Sequence, residues 1–475
     1  MSSRAILSRG AMLALTLGAF GVPGAASAAT VTVNTTADDF GPNATCSVRE
    51  AVRSVNDAAN FGGCIATIVP NAYGVADEID VPAGLFKLSR TGAVEDLTST
   101  GDLDLRKAVK IVGAGDSPAG TEIDADNIDR VLDLPSVAGP VAVTVQSLTL
   151  TNGNAVAANG GGIRVSDPDG SIKVQESTIE SSHAGLKGGA IFFEGATSST
   201  PINVVDSELV GNSAADDGGA IQYGDSNSQA AIERSSLIGN ITGAEGGGVY
   251  LSAPGVAFAS IRIINSTLTG NAATGGGGAL AFGGGQPQVF SQFSTFAGNS
   301  TPATGQGGAF RTDAANDQVN LTASIVAGNT AAGVPASCGG PVAGDYAFGA
   351  LNVLGDTSCP VGGSGNLTGV DPLLAPLGAY GGPTRTLGLY ETSPAIDHVP
   401  IASCPVVAPV DQRSQPRPVG AGCDAGAFEG SVGPVPTPPS GGPSPATPAK
   451  KCKKKKKKKK RAASVAKKCK KKKRK

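Results

Sequence analysis

Seven related segments between Ser147 and about Thr330 limit what this chain can fold into. They begin SLTLTNG, STIESSH, SELVGNS, SSLIGNI, STLTGNA, STFAGNS and SIVAGNT. Their opening serines are Ser147, Ser177, Ser207, Ser235, Ser266, Ser294 and Ser324, so the steps are 30, 30, 28, 31, 28 and 30 residues. The first six carry a second signature about 11 to 13 residues later: GGGI, GGAI, GGAI, GGGV, GGAL and GGAF. A period of this length marks a solenoid, in which each repeat packs only on its neighbours. Short β-branched and aliphatic runs between glycines read as strands. The Ser-x-aliphatic run gives one strand, the run after the glycine pair a second, and IKVQES, INVVDS, AIERS, IRIINS, VFSQFS and VNLTAS a third. The expected fold is all-β: a right-handed parallel β-helix with three-strand coils of about 28–31 residues.

Strand alternation then sorts the side chains. Ile163, Ile191, Ile221, Val249, Leu280 and Phe310 should stack inward, with Val165, Phe193, Tyr223, Leu251, Phe282 and Thr312 on the same face. The Gly-Asn pairs place Asn212, Asn240, Asn271, Asn299 and Asn329 at one turn position. Stacked at the inter-strand spacing, such asparagines hydrogen-bond along the stack, a structural ladder rather than a binding site. Asn152 fits this ladder in sequence and Ser182 interrupts it. A composition of 68 glycines, 4% aromatics and no tryptophan suits small stacked rungs better than a wide globular core.

The overall net charge of −1 hides two opposite halves. Lys450–Lys475 holds 17 Lys and 2 Arg, while residues 1–449 carry 19 basic residues against 39 acidic ones. The first 28 residues read as a secretory signal: Arg4 and Arg9, a short apolar run Ala11–Phe20, and Ala26-Ser27-Ala28 as an A-x-A cleavage site. The apolar run is too short to span a bilayer, and no later run of spanning length follows. Export makes disulfides the expected use of Cys46, Cys64, Cys338, Cys359, Cys404, Cys423, Cys452 and Cys469, and nearest-neighbour pairing is the simplest of the open connectivities. With His183 and His398 the only histidines and no CxxC spacing, neither a zinc site nor a histidine triad is expected.

Before the repeats, residues 29–75 supply a strand and the segment CSVREAVRSVNDAANFGGC. Ser47 and Glu50 form a capping box, and Val48, Val52, Val55 and Ala59 recur at helical spacing, so a short amphipathic helix should cover the first coil. Cys46-Ser47-Val48-Arg49-Glu50-Ala51 resembles the CSLREA segment of many exported bacterial β-helix proteins, with Val48 in place of leucine. That resemblance implies architecture and export rather than an activity. The phased GGAI and Gly-Asn motifs likewise resemble the repeats of polymorphic outer-membrane and adhesin-type proteins.

The β-helix is expected over 76–337 and a C-terminal segment of irregular rungs and cap over 338–430. The latter carries Asp371-Pro372-Leu373-Leu374, Gly381-Gly382-Pro383-Thr384, Ser393-Pro394-Ala395-Ile396-Asp397 and Asp424-x-Gly426-Ala427-Phe428-Glu429. These resemble the "choice-of-anchor" segment ending many exported bacterial β-helix proteins, although Leu387 stands where that family commonly has histidine. Arg413 and Arg417 have Asp397, Asp411, Asp424 and Glu429 as expected partners. Residues 431–449 form a Pro/Gly/Ser linker, and the Lys/Arg tail at 450–475 is a disordered polycation suited to a surface polyanion rather than to intracellular nucleic acid.

Catalysis leaves a fainter trace. The densest acidic patch is Glu122, Asp124, Asp126 and Asp129, with Asp133 and Arg130 beside it and Asp102 and Asp104 one coil earlier. Glu122, Asp124 and Asp126 alternate and could hold Ca2+, whereas a solvated acidic face is the simpler reading. No base, acid and cation line up in consecutive rungs, so no catalytic residues are assigned. The expectation is a non-catalytic exported surface or adhesin-like protein binding a glycan or envelope polyanion. The alternatives are a polysaccharide lyase or glycoside hydrolase of the pectate-lyase-like type, or a purely structural envelope protein.

Overall fold

The computed structural model describes residues 28–436 with short breaks at 68–72, 75–76, 93–94, 117–119, 195–201, 225–227, 254–257, 305, 315, 341–345, 347–348 and 405–408. The signal region, most of the linker, and the basic tail with Cys452 and Cys469 lie outside the described residues. The described chain is a right-handed parallel β-helix built on four long sheets. One coil shows the plan: Ser171–Gln175 belongs to the first sheet, Thr178–Glu180 to the second, His183–Ala184 to the third and Ile191–Glu194 to the fourth. The sheets contain 10, 11, 8 and 9 strands in that order. Three of them are the expected strands. The third is an addition of two residues per coil, formed where the chain straightens after the ladder position, as Ser213–Ala214 does after Asn212.

Register is kept without a slip along the stack, as in Ile163↔Ile191↔Ile221↔Val249↔Leu280↔Phe310. These residues and their partners two positions on are buried, Thr312 included, so the interior is a set of continuous aliphatic and aromatic columns. The glycine pairs permit this stacking. A Cβ on Gly278 would lie 2.5 Å from the carbonyl oxygen of Gly308, closer than any side chain tolerates.

Two polar ladders run through the coil corners. Asn212, Asn240, Asn271, Asn299 and Asn329 are fully buried. The backbone N–H and Nδ2 of Asn240 both donate to Oδ1 of Asn271, at 3.0 and 2.9 Å, and Nδ2 also donates to the carbonyl of Leu209. Asn271 treats Asn299 in the same way. Ser182 continues this ladder rather than breaking it: its N–H donates to Asn212 Oδ1, and its Oγ accepts the N–H of Gly153. Asn152 stands outside the ladder, because NG in its segment reverses the later GN order. It occupies the left-handed position (φ 56°) that Gly211 and Gly239 fill in later coils.

The second ladder is made of the repeat serines. Ser177, Ser207, Ser235, Ser266, Ser294 and Ser324 are buried, and each Oγ accepts an N–H from the preceding coil. Asn352 and Asn366 extend it below Ser324. Ser147 falls one residue short of this column, which Leu148 occupies, so the first repeat is offset by one residue from the serine spacing.

At the upper end, Val48–Asp57 is the expected helix with both halves of the capping box formed. Val48, Ala51, Val52 and Val55 pack on Val31, Ile79 and Leu103. Ala59 does not join them: the helix closes at Ala58 in a left-handed conformation, and Ala59 is exposed. Arg49, fully buried, pairs with Asp38 at 2.7 Å and donates to the carbonyls of Thr98, Thr100, Gly101 and Asp102. Cys46–Cys64, Cys338–Cys359 and Cys404–Cys423 are disulfides.

At the lower end, Val353–Leu354 and Leu367–Thr368 add two short rungs to the second sheet. The chain then turns back along that sheet's outer face. Arg385 binds the Glu208 carboxylate at 2.9 Å, and Gln412 Nε2 donates to Ser236 Oγ at 2.8 Å. Further down, Thr267 Oγ1 donates to Gln412 Oε1, the N–H of Ala427 donates to Thr295 Oγ1, and the N–H of Gly426 donates to the carbonyl of Ala323. Arg413 pairs with Asp411, and the buried Arg417 pairs with Glu429 at 2.6 Å.

Asn271→Ala leaves the backbone N–H of Asn240 and one of its Nδ2 hydrogens without an acceptor in the interior, at a cost of about 2–5 kcal/mol. Amide exchange at Asn240 should accelerate accordingly. Asn271→Ser should be milder, since Ser182 serves in the same column. Arg417→Met strands Glu429 in a buried site and should cost about 3–5 kcal/mol. Limited proteolysis should then cut within 374–433 before the stacked coils.

Candidate functional site

The returning C-terminal segment lies against the outer face of the second sheet from Glu208 to Ile325. The fourth sheet is different. Its outward column reads Asp104, Asp133, Arg164, Phe192, Gln222, Tyr250, Ala281 and Arg311 in successive coils. Beside it runs a second column, the residue before each left-handed glycine. Lys187, Asp217, Glu245, Gly276 and Gln306 precede Gly188, Gly218, Gly246, Gly277 and Gly307. Two adjacent columns of polar and charged groups therefore share one face.

In the lower part of this face, Lys187 binds Asp217 at 2.9 Å, and its ammonium lies 5.6 Å from the centre of the Tyr250 ring. Arg311 reaches past the intervening coil to pair with Glu245 and also binds Asp313 at 2.6 Å and Gln306 at 2.8 Å. That reach needs an empty coil. A Cβ on Gly276 would lie 2.5 Å from Arg311 Cδ, and one on Gly283 would overlap the Tyr250 hydroxyl. Gly276, Ala281 and Gly283 thus form a floor of small residues between an aromatic ring and a guanidinium–carboxylate pair. Burial pushes Glu245 up to about 7; Asp313, Asp217 and Asp216 add to the rise, and Arg311 opposes it.

In the upper part, Asp102, Asp104, Asp129 and Asp133 are buried with Arg130 and beside Arg164. Arg130 binds Asp102 at 2.7 Å, and Arg164 Nε binds Asp133 at 2.8 Å. Burial pushes Asp102 up to about 7 and Asp104 to about 8.

The acidic patch expected from sequence is divided. Glu122 and Asp124 lie on the outside of the second sheet, where Asp124 accepts from Asn152 Nδ2 and from the N–H of Asp126. Asp126 is paired with Lys87 at 2.8 Å. Asp129 belongs to the other cluster, on the fourth-sheet side with Arg130. Glu122, Asp124, Asp126 and Asp129 therefore do not share one site. Among the described residues, the three carboxylates that do converge are Asp96, Asp104 and Asp133.

The lower cluster was hidden in sequence because its members come from five coils and stand next to glycines that look purely structural. The one available signal was the GGGGALAFGGG run, whose excess glycines exceed what the turn needs. Among the described residues, no helix is long and apolar enough to cross a membrane. Comparison with protein-family models, curated proteins and solved structures finds no match.

The raised Glu245 carboxyl makes a signed prediction. The folded chain holds a proton there up to about pH 7, while the unfolded carboxyl releases it near 4.5. Its stabilising contribution is complete below the unfolded value and is lost as pH rises through the folded one. Urea midpoints should therefore rise as pH falls from about 8 to about 5, and Glu245→Gln should flatten that slope around neutrality.

Proposed function

We propose that the protein is an exported, non-catalytic surface solenoid of adhesin-like type. It binds a glycan or another polar envelope polymer along its fourth sheet. The observation that carries this reading is the lower fourth-sheet face: the half-buried Tyr250 ring, Lys187, and the Arg311–Glu245 pair set around the small-residue floor. Sugars are bound by the same chemistry, with an aromatic face for C–H surfaces and fixed charged groups for hydroxyls and acidic substituents. A coil repeat presents such groups at the spacing of stacked strands, which suits a long polymer better than a small molecule.

Placement in the exported β-helix group with CSLREA-like and choice-of-anchor-like ends is part of this proposal. The capped helix, the Cys46–Cys64 disulfide, the docking of Thr384 and Gly426 and the internal Arg417–Glu429 pair support it as a structural kinship. The Lys450–Lys475 tail retains the protein at the envelope by screened electrostatic attraction to polyanions.

Polysaccharide cleavage is the second reading, favoured by Glu245, whose raised pKa suits a general acid. One experiment separates them. The mature chain, with and without Lys450–Lys475, is screened against a glycan and cell-surface polymer array, and bound polymers are then examined for shortening. Binding that survives tail removal, falls about tenfold in Tyr250→Ala and yields no products is the expected result. Chain shortening abolished by Glu245→Gln would replace the binding reading with the enzymatic one. No binding by either form would leave only a structural envelope role. Cells producing the tail-deleted chain should also release it into the medium, as moderate salt releases the intact one.

A further inference from the structure

A buried carboxylate oxygen near the top of the fourth sheet has no hydrogen-bond partner. Asp104 lies on the strand Leu103–Asp104, paired in register with Asp133 on Leu132–Leu134, so both side chains leave the same face. The loop 95–102 arches over them. Arg49 fixes that loop by its carbonyls, and Thr98, in a left-handed conformation (φ 64°), donates its N–H to Asp104 Oδ2 at 2.6 Å. This places Asp96, which is exposed, at the mouth of the site. One carboxylate oxygen from each of Asp96, Asp104 and Asp133 lies within 4.8 Å of the other two.

The surrounding charges do not balance. Asp102 has Arg130 at 2.7 Å, Asp129 has it at 3.8 Å, and Asp133 has it at 3.7 Å besides Arg164, which engages both Asp133 oxygens; two arginines thus face the five carboxylates of Asp96, Asp102, Asp104, Asp129 and Asp133. Glu95 accepts the N–H groups of Leu97 and Thr100. Among the described residues, neither Asp96 nor Asp104 forms an ion pair, and Asp104 Oδ1 is buried without a partner although Asp104 is 0% exposed. A buried carboxylate oxygen is costly unless paired, and here the adjacent carboxylates add to the need for a cation.

We infer that Asp96, Asp104 and Asp133 form a calcium site that ties the loop 95–102 to the first coils of the fourth sheet. Oxygen donors alone select a hard cation, and nitrogen or sulfur ligands for zinc are absent from the group. Oxygens on opposite sides of Ca2+ are about 4.6–5.2 Å apart, given bond lengths of about 2.3–2.6 Å; for Mg2+ they are about 4.0–4.2 Å apart. Oxygens that all lie within 4.8 Å of one another are close enough to share one such ion, and Ca2+ is favoured over Mg2+ because Mg2+ gives up its water reluctantly and demands near-ideal octahedral geometry. Water completes its coordination from an adjoining cleft of about 470 Å³, lined by Glu95, Asp96, Asp129, Arg130, Asp133 and Arg164. Three carboxylates on a surface loop and sheet fit the affinity range of extracellular calcium modules, a Kd of about 0.1–1 mM.

The test uses the full mature chain stripped with chelator and titrated with CaCl2 or MgCl2 by calorimetry and thermal unfolding. One Ca2+ should bind per chain, raising the thermal midpoint by at least about 2 °C at saturation. Asp96→Asn changes an exposed residue and should not alter the metal-free midpoint, yet it should weaken Ca2+ about tenfold or more. Asp104→Asn should weaken Ca2+ to a similar extent and, by removing a buried unpaired carboxylate, should raise the metal-free midpoint, and Glu122→Gln on the second sheet should bind as the parent does. Absence of Ca2+ binding, undiminished affinity in Asp96→Asn, or equal response to Mg2+ would each overturn the assignment.

Discussion

The structure depends on satisfying buried backbone groups at the corners of a stacked coil. Within a sheet, each strand finds its partners in the coils above and below. At a corner, the chain must reverse direction while its N–H and C=O groups remain away from water. Two left-handed residues per coil make the turn around the second sheet, as at Glu176 and Ser181 or Asp206 and Gly211. The residue after each turn then supplies a side chain that copies what a strand would have offered. Serine does so after the first turn and asparagine after the second. Because each such side chain bonds to its equivalent one coil away, the ladder is as periodic as the sheets. Loss of one rung is felt by two coils.

The C-terminal segment obeys the same rule with different means. Its own short pairings, Leu374–Gly378 with Thr386–Leu389 and Val399–Pro400 with Gly422–Cys423, are too few to stand alone. It is held by matching the outward side chains of the second sheet, from Glu208 through Ser236 and Thr267 to Thr295. The motif residues Thr384, Gly426 and Ala427 are explained by this docking, and Glu429 by its pairing with Arg417 inside the segment. Thr384 bonds the Arg234 carbonyl, and Gly426 lies where a Cβ would strike Ile325. The seam covers the lower part of one sheet face, from Glu208 to Thr295, and takes that surface away from any partner.

The stack was legible in sequence because its constraints repeat. Glycine at the tight approach, asparagine at the corner and an aliphatic residue on the inner face recur about every 30 residues, and the repeats reinforce each reading. The repeat misleads where it is broken by one residue. The order NG at Asn152-Gly153 moved the asparagine out of its ladder, and Ser147 matched the serine motif while standing one place early. Contacts between distant segments were not legible at all. Nothing in the spacing links Arg385 to Glu208, or Arg49 to the carbonyls of 98–102. The acidic patch shows the same limit: alternation along the chain groups Glu122 with Asp124 and Asp126, whereas folding brings Asp104 to Asp133 and Asp96.

A strictly periodic stack gives every coil the same outline, so a binding surface has to arise where the outline departs from the rule. The fourth sheet departs twice. Near its top the outward column carries the carboxylates Asp104 and Asp133 where the middle coils carry Phe192, Gln222, Tyr250 and Ala281, and Arg130 and Arg164 offset only part of that charge. Lower down, the coil containing Ala281 and Gly283 carries little on its outer face, where a Cβ on Gly283 would meet only the Tyr250 side chain, while Gly276 is set by its turn, with φ at 136° and the Gln306 carbonyl oxygen 2.7 Å from where a Cβ would stand. The inward residues of that coil, Leu280 and Phe282, remain as large as those of its neighbours, so the loss is confined to the outside. Core packing therefore does not account for the small residues. The room they leave is used by Tyr250 from one neighbouring coil and by Arg311 from the other, and it is this borrowing across coils that turns a regular scaffold into a particular surface.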